Sequence, residues 1–209
     1  MKEKEIILIS NKEAINTGII SLAKLSYEKV IQISIENNEL MDPLKFLKNI
    51  NTSYSETKNI FFDLFGLNLN TNLAIFCKAI KRFDFINPNI VHPQIKINDN
   101  IQKNSNIAIQ NSFIDDSVVI KGASYISQFS SIYENCKIGK YTYIGENSII
   151  GKSVELSNFS SIGPNICIKE DLKIGSFCEI FSNSRTLTNS VQDGIIINST
   201  TKKEINLIL

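Results

Sequence analysis

The stretch Ile132 to Gly151, IYENCKIGKYTYIGENSIIG, places isoleucine at Ile132, Ile138, Ile144 and Ile150, with glycine following at Gly139, Gly145 and Gly151. The six-residue step extends both ways. It runs back through Ile126 and Ile120 to Ile114, and forward through Leu156, Ile162, Ile168 and Ile174 to Ile180. The fifth position of each hexapeptide is mostly small or β-branched, as at Ser124, Ser130, Cys136, Thr142, Ser148, Val154 and Ser160. An amphipathic helix needs apolar residues at 3.6 spacing, and an isolated strand needs alternation. A period of six fits a solenoid of short strands and corners. The aliphatic residue fills the interior, the small one lets the next corner close, and glycine relieves backbone strain there. Three hexapeptides make one triangular coil, so Ile114 to Arg185 predicts four coils in unbroken register, a parallel β-helix. Upstream, Ile95, Ile97, Ile101, Ile107 and Ile109 keep the apolar beat in a frame displaced by about one residue, which makes 90–113 an irregular beginning of the helix.

The first 86 residues follow other rules. Apolar runs at Glu5–Ser10, Lys29–Ile35 and Asn59–Phe65 read as strands, and Phe83–Ile86 as a last short one. Between the first two, Ala14, Ile15, Ile19, Leu22, Ala23 and Leu25 form one helical face. Asp42-Pro43 starts a second helix that ends near Ile50, with aspartate as N-cap and proline in the first turn. Asn70–Arg82 reads as a third. Strand–helix alternation implies a small parallel α/β sheet of Rossmann-like type. Asn87-Pro88-Asn89 punctuates the junction, giving an α/β domain over 1–86 and a β-helix domain over 87–209.

Composition narrows the function classes. Of 209 residues, 43% are hydrophobic, and 22 basic against 21 acidic residues leave a net charge of +1. No basic block suggests nucleic acid. The start Met1-Lys2-Glu3-Lys4-Glu5 is unlike a secretory signal, and no run reaches the roughly 20 apolar residues of a membrane span. The expectation is a cytoplasmic protein with neither nucleic-acid nor membrane partners. Cys77, Cys136, Cys167 and Cys178 show no Cys-x-x-Cys spacing and read as reduced and structural. His92 is the single histidine, so no histidine-rich metal site forms within one chain, and no metal is expected.

An α/β domain, the step Ile90-Val91-His92-Pro93 and a hexapeptide β-helix occur in that order. In this the chain resembles the hexapeptide-repeat sugar O- and N-acetyltransferases, which include the bacterial sialic acid O-acetyltransferases and the bacillosamine-pathway N-acetyltransferases. The resemblance covers nearly the whole chain and implies a left-handed β-helix, a homotrimer and acetyl-CoA as co-substrate between neighbouring helices. It also implies a nucleotide-activated sugar on the amino-terminal domain, in surface glycan biosynthesis.

Carried over by position, the family's catalytic histidine before its Cys-x-Ile-Gly run falls on Glu134, ahead of Cys136-Lys137-Ile138-Gly139. Its acidic partner falls on Asn135, and a second histidine on Tyr143. The loop facing the nucleotide sugar reads Ser10-Asn11-Lys12-Glu13-Ala14, without glycine, and Gly66-Leu67-Asn68 matches the loop after the third strand. Of the CoA-contacting segment near the carboxyl end, Lys203 retains the basic residue.

Glu134 reads either as a general base, strengthened if a neighbouring subunit buries it, or as a solvated corner carboxylate. Tyr143 either bonds substrate or packs on the next subunit, and Tyr125, Tyr133 and Tyr141 join it as candidate interface aromatics. Backbone N–H groups of Gly145 and Gly163 are candidates to polarise the thioester carbonyl. His92, before Pro93, reads as a structural residue or as an alternative base. Two functions remain: an acetyl-CoA-dependent acetyltransferase acting on an amino-sugar or nucleotide-sugar, and a catalytically silent trimeric scaffold or ligand-binding homologue.

Overall fold

The computed structural model describes residues 3–11, 17–36, 42–64, 70–96, 98–181, 185–198 and 204–206. A three-stranded parallel sheet of β1 (Glu3–Asn11), β2 (Tyr27–Ile35) and β3 (Ile60–Asp63) is ordered β2-β1-β3. It is joined by α1 (Thr17–Ser26), α2 (Pro43–Ser53) and α3 (Asn70–Ala79). Asp42 caps α2 as its sequence requires, its carboxylate accepting from the Lys45 N–H at 3.1 Å. Ile7, Ile9, Phe61 and Phe62 are fully buried, as are Ile19, Leu73 and Phe76 from the helices.

Two sequence expectations change here. Leu25, assigned to the buried face of α1, is 47% exposed. Phe83–Ile86 makes no strand. It reduces to one bridge, Asn59 to Ile86, because side chains take over the remaining edge of β3. Asn87 donates to the Ile60 carbonyl at 2.8 Å, and Asn106 bonds both backbone groups of Phe62. Ala14 and Ile15 lie outside the described residues.

From Ile90 onward the chain winds into a left-handed parallel β-helix of about six turns, with three faces. Face one runs from Ile90–Val91 through Tyr125–Ile126 and Tyr143–Ile144 to Ile195–Asn198, where Glu204–Asn206 closes it antiparallel. Face two holds Phe113–Ile114, Ser131–Ile132, Ile149–Ile150, Ile166–Ile168 and Arg185–Leu187. Face three holds Val119–Ile120, Lys137–Ile138, Glu155–Leu156 and Lys173–Ile174. Pairs such as Ile126 with Ile144 and Ile144 with Ile162 step by one full coil. The displaced frame upstream is real. Ile109 pairs with Ile126, one residue short of the later step.

Each inward isoleucine from Ile120 to Ile180 is buried, worth about 1.5–3 kcal/mol per side chain. The small fifth-position residues do more than make room. Ser130 and Ser148 are buried, and their hydroxyls donate to the Gly145 and Gly163 carbonyls one coil on, each at 2.9 Å. That satisfies groups which would otherwise be unpaired inside the corner.

The glycines have a different reason from the one their position suggests. A Cβ on Gly145 would stand 2.6 Å from the backbone of Gly163 and Pro164, so glycine permits close approach of coils. Left-handed backbone falls instead on every sixth residue from Ala123 to Phe177, none of them glycine, at φ between 55° and 61°. Each such residue costs about 1–2 kcal/mol, which the coil-to-coil hydrogen bonds offset.

Candidate functional site

The site begins at the carboxyl ends of the parallel strands. In open α/β sheets ligands bind there, at the point where strand order reverses. With order β2-β1-β3 that point lies between β1 and β3, and Ser10 stands beside Asp63 across it. Ser10, Asn11 and Asp63 are all at least nine-tenths buried, a polar group at the end of an otherwise apolar sheet. Ser10 and Asn11 are the last two residues of β1, so the strand runs one residue further than the sequence suggested. Asp63 is an addition, legible only once β3 is known to end there. Lys12, Gly66 and Asn68 lie outside the described residues, as does Lys203.

From the start of α1 a cleft of about 480 Å³ runs down the edge between faces one and two. Gly18, Ser21 and Leu25 of α1 form one wall, and His92, Gln110, Gln128 and Glu146 the other. These last four line one edge: His92 to Gln110 and Gln128 to Glu146 each step by one coil, while Gln110 stands over Ser127, where the frame is one residue short. Gln110 Oε1 accepts from the Gln128 N–H at 3.1 Å. His92 Nδ1 accepts from the Gln94 N–H at 3.4 Å. Sequence reading left His92 as a structural residue or an alternative base and overlooked Gln110, Gln128 and Glu146. The spacing of eighteen was the signal available.

The positions carried over from acetyltransferases are dispersed. Glu134 follows face two, on the edge leading to face three, while Tyr143 lies on face one. Glu134 Oε1 sits 2.7 Å from Lys152 Nζ, one coil away. The Lys152 hydrogen bond is the main cause holding the Glu134 carboxyl below its ordinary range, and Glu134 in turn raises Lys152. A general base at neutral pH needs the opposite shift. Within one chain this is the solvated corner carboxylate of the two readings. Asn135 occupies a left-handed corner at φ 61°, a conformation asparagine tolerates, and its N–H donates to Ser117 Oγ at 2.8 Å.

Tyr143 is half-buried and tilted against Tyr125 at 5.5 Å. Burial is the largest cause raising its hydroxyl pKa. Tyr125, Tyr141 and Tyr143 pack on the amino-terminal core rather than standing free for a neighbouring subunit, so three of the four candidate interface aromatics serve the domain junction. Tyr133 remains on face two beside Phe113, at 5.7 Å. The Gly145 N–H donates to Ile162 O at 2.7 Å and the Gly163 N–H to Ile180 O at 2.8 Å. Both are committed to the coil ladder and have no proton left for a thioester oxygen.

No protein-family model matches the chain, and no curated protein matches it in sequence. Solved structures do. PerB from Caulobacter crescentus, solved with CoA and GDP-perosamine, aligns over 95% of this chain and 96% of its own, with TM-score 0.71 and 12% identity. The acetyltransferase domain of PglB from Neisseria gonorrhoeae, solved with acetyl coenzyme A, aligns over 98% of this chain and 100% of its own, with TM-score 0.61 and 11% identity. The fold is that of the hexapeptide-repeat sugar acetyltransferases. Both the small sheet and the β-helix fall within the aligned span.

Among the described residues, no helix is long and apolar enough to cross a membrane.

Proposed function

We propose that the chain is an acyltransferase that moves an acetyl group from acetyl-CoA to an amino group on a nucleotide-linked sugar, acting as a homotrimer. One observation carries this: the match to PerB, a protein solved with CoA and GDP-perosamine, spans 95% of the chain and takes in both domains. In this reading Ser10, Asn11 and Asp63 face the sugar nucleotide, with Lys12, Gly66 and Asn68 as its further contacts. The CoA lies along the β-helix with Lys203 at its carboxyl end. The neutral amine attacks the thioester carbonyl, the carbon–sulfur bond breaks, and the amine proton passes through a base to the departing thiolate. Glu134 and Tyr143 hold the positions from which relatives handle that proton, and Asn135 that of the base's acidic partner.

A second reading, a silent ligand-binding homologue, is favoured by the ion pair of Glu134 with Lys152. Two measurements separate them. Acetyl-CoA at about 100 times its Kd stabilises a binding protein by roughly 2.7 kcal/mol, so the melting temperature should rise. Thiol release should follow addition of a GDP- or UDP-linked amino sugar. The double change Glu134→His with Asn135→Glu rebuilds the relatives' pair and should raise that release. Acetyl-CoA binding with no release from either protein supports the silent homologue, and absence of acetyl-CoA binding rules out the transferase.

A further inference from the structure

A cluster of three lysines lies away from the α1 cleft. A second cleft, of about 510 Å³, opens between α3 and the edge joining faces three and one. Helix α3 starts at the carboxyl end of β3 and runs back, so its last turn lies at the opposite end of the sheet from Ser10 and Asp63. Lys78, Lys81 and Lys140 line this cleft, and no acidic side chain does. None of the three pairs with a carboxylate among the described residues, whereas Lys29, Lys137 and Lys152 each do. Three exposed lysines at one cleft, without a carboxylate in its lining, attract an anion.

Apolar surface accompanies the lysines on both walls: Ala74 and Cys77 on α3, and the ring of Tyr141 beside Lys140. Burial pushes the Cys77 thiol up to about 12, so it stays protonated and serves as wall rather than nucleophile. Tyr141 is the last ring of an aromatic column on this edge. It stacks on Phe159 at 4.9 Å, and Phe159 on Phe177 at 4.8 Å with planes 4° apart. One coil further down, Ala123 supplies no ring, so the column ends where the cleft begins. A planar, phosphorylated ligand matches this mixed basic and aromatic lining.

We propose that this cleft binds a nucleotide, its phosphates held by Lys78, Lys81 and Lys140 and its base set against Tyr141. Lysine binds phosphate as a point charge, and an aromatic face accepts any base. The inference does not rest on acyl transfer. It takes the nucleoside diphosphate as the shared chemistry of a free nucleotide, a sugar nucleotide and the ADP end of CoA.

The test is calorimetric titration of the full chain with ADP, GDP, UDP, CoA and inorganic pyrophosphate. The triple variant Lys78→Ala, Lys81→Ala, Lys140→Ala should weaken diphosphate binding by at least about tenfold while melting like the parent. Tyr141→Leu keeps an apolar group and should weaken ADP binding while leaving pyrophosphate binding unchanged. If CoA loses affinity alongside ADP in both variants, the cleft holds the nucleotide end of CoA; if only ADP, GDP or UDP does, it holds a free or sugar nucleotide. Binding that survives the triple substitution, or absence of binding by any nucleotide at millimolar concentration, overturns the proposal. Pyrophosphate bound as tightly as ADP, with Tyr141→Leu silent, overturns the base contact and with it the nucleotide.

Discussion

Asn106 offers the sharpest test of how the two halves of the chain hold each other. It is fully buried on the β-helix side, and its side chain bonds both backbone groups of Phe62 on the edge of β3. Asn106 Oδ1 accepts from the Phe62 N–H at 2.7 Å, and Nδ2 donates to the Phe62 carbonyl at 2.9 Å. Its own backbone is left-handed at φ 56°. Asn106→Gly keeps that conformation at no steric cost and removes both bonds, leaving a buried donor and a buried acceptor unpaired. At about 1–3 kcal/mol per group, the loss is about 2–6 kcal/mol. Asn106→Ala loses the same bonds and adds about 1–2 kcal/mol for a Cβ in left-handed backbone. Asn106→Asp keeps the acceptor but sets a carboxylate against a carbonyl in a dry site, and should be no better. Urea unfolding of the three variants, followed by circular dichroism, measures the series. The expected order is parent, then glycine, then alanine. For a chain of this size the glycine variant should melt at least about 4 °C below the parent. A glycine variant as stable as the parent would show that the Asn106 bonds are not what closes the edge of β3. Equal glycine and alanine variants would remove the cost assigned to the left-handed corner.

Two further outcomes follow from the coil interior and its surface. Ile162→Ala should cost about 2–5 kcal/mol through lost burial and a cavity, and Ile144→Asp should abolish soluble folded protein, since the coil interior offers the carboxylate no partner; a normal melting curve for Ile144→Asp would refute the six-residue register. The Glu134 pKa is depressed in the folded state, so its pair with Lys152 contributes above the unfolded value of about 4.3 and is lost as pH falls through the folded value. Against Glu134→Gln, the parent should therefore show a small stability advantage at neutral pH that vanishes in acid and in high salt, and an advantage that persists in both would mean the carboxylate acts through something other than this ion pair.

The β-helix was legible because burial in it is nearly one-dimensional. Each interior position is filled by one residue type at one step, and Ile114 to Ile180 repeats that step without a break. The three strands and helices of the first domain were legible for the same reason, from apolar runs and the Asp42-Pro43 cap. The corners were not. Ala123, Phe129, Asn135 and Ser153 share left-handed backbone but no side-chain chemistry, so no composition rule marks them. Glycine, the residue such a rule would choose, is used elsewhere for contact distance. Phe83–Ile86 looked like a strand because its apolar content was visible, while the side chains that replace it on the edge of β3, Asn87 and Asn106, were not. Asn106 bonds a residue 44 positions away, beyond any local pattern. Tyr125, Tyr141 and Tyr143 were read as interface residues for want of the same knowledge, since only the fold shows them packed against the amino-terminal core.

The geometry of a coil also explains why the candidate site was harder to find than the scaffold. Residues eighteen apart stand one above another, so every outward position belongs to a column, and a column minimises its own repulsion. On the edge after face two, Glu134, Lys152 and Glu170 alternate in sign, and on face three Lys137, Glu155 and Lys173 do the same, with Glu155 3.5 Å or closer to both lysines. Such columns are self-satisfied, and a charged residue within one says little about ligands. Positions that break the rule say more. His92, Gln110, Gln128 and Glu146 lie along an edge with a single acidic residue and no lysine or arginine, and besides the bonds they make to one another they face α1 across a cleft. Lys78, Lys81 and Lys140 come from two different elements and carry one sign without compensation. Beside columns that pair in this way, a cluster of one sign at a cleft is a candidate place for a partner from outside. By that criterion the two clefts flanking the amino-terminal domain, rather than the corner that holds Glu134, are where substitutions should change ligand binding without changing the fold.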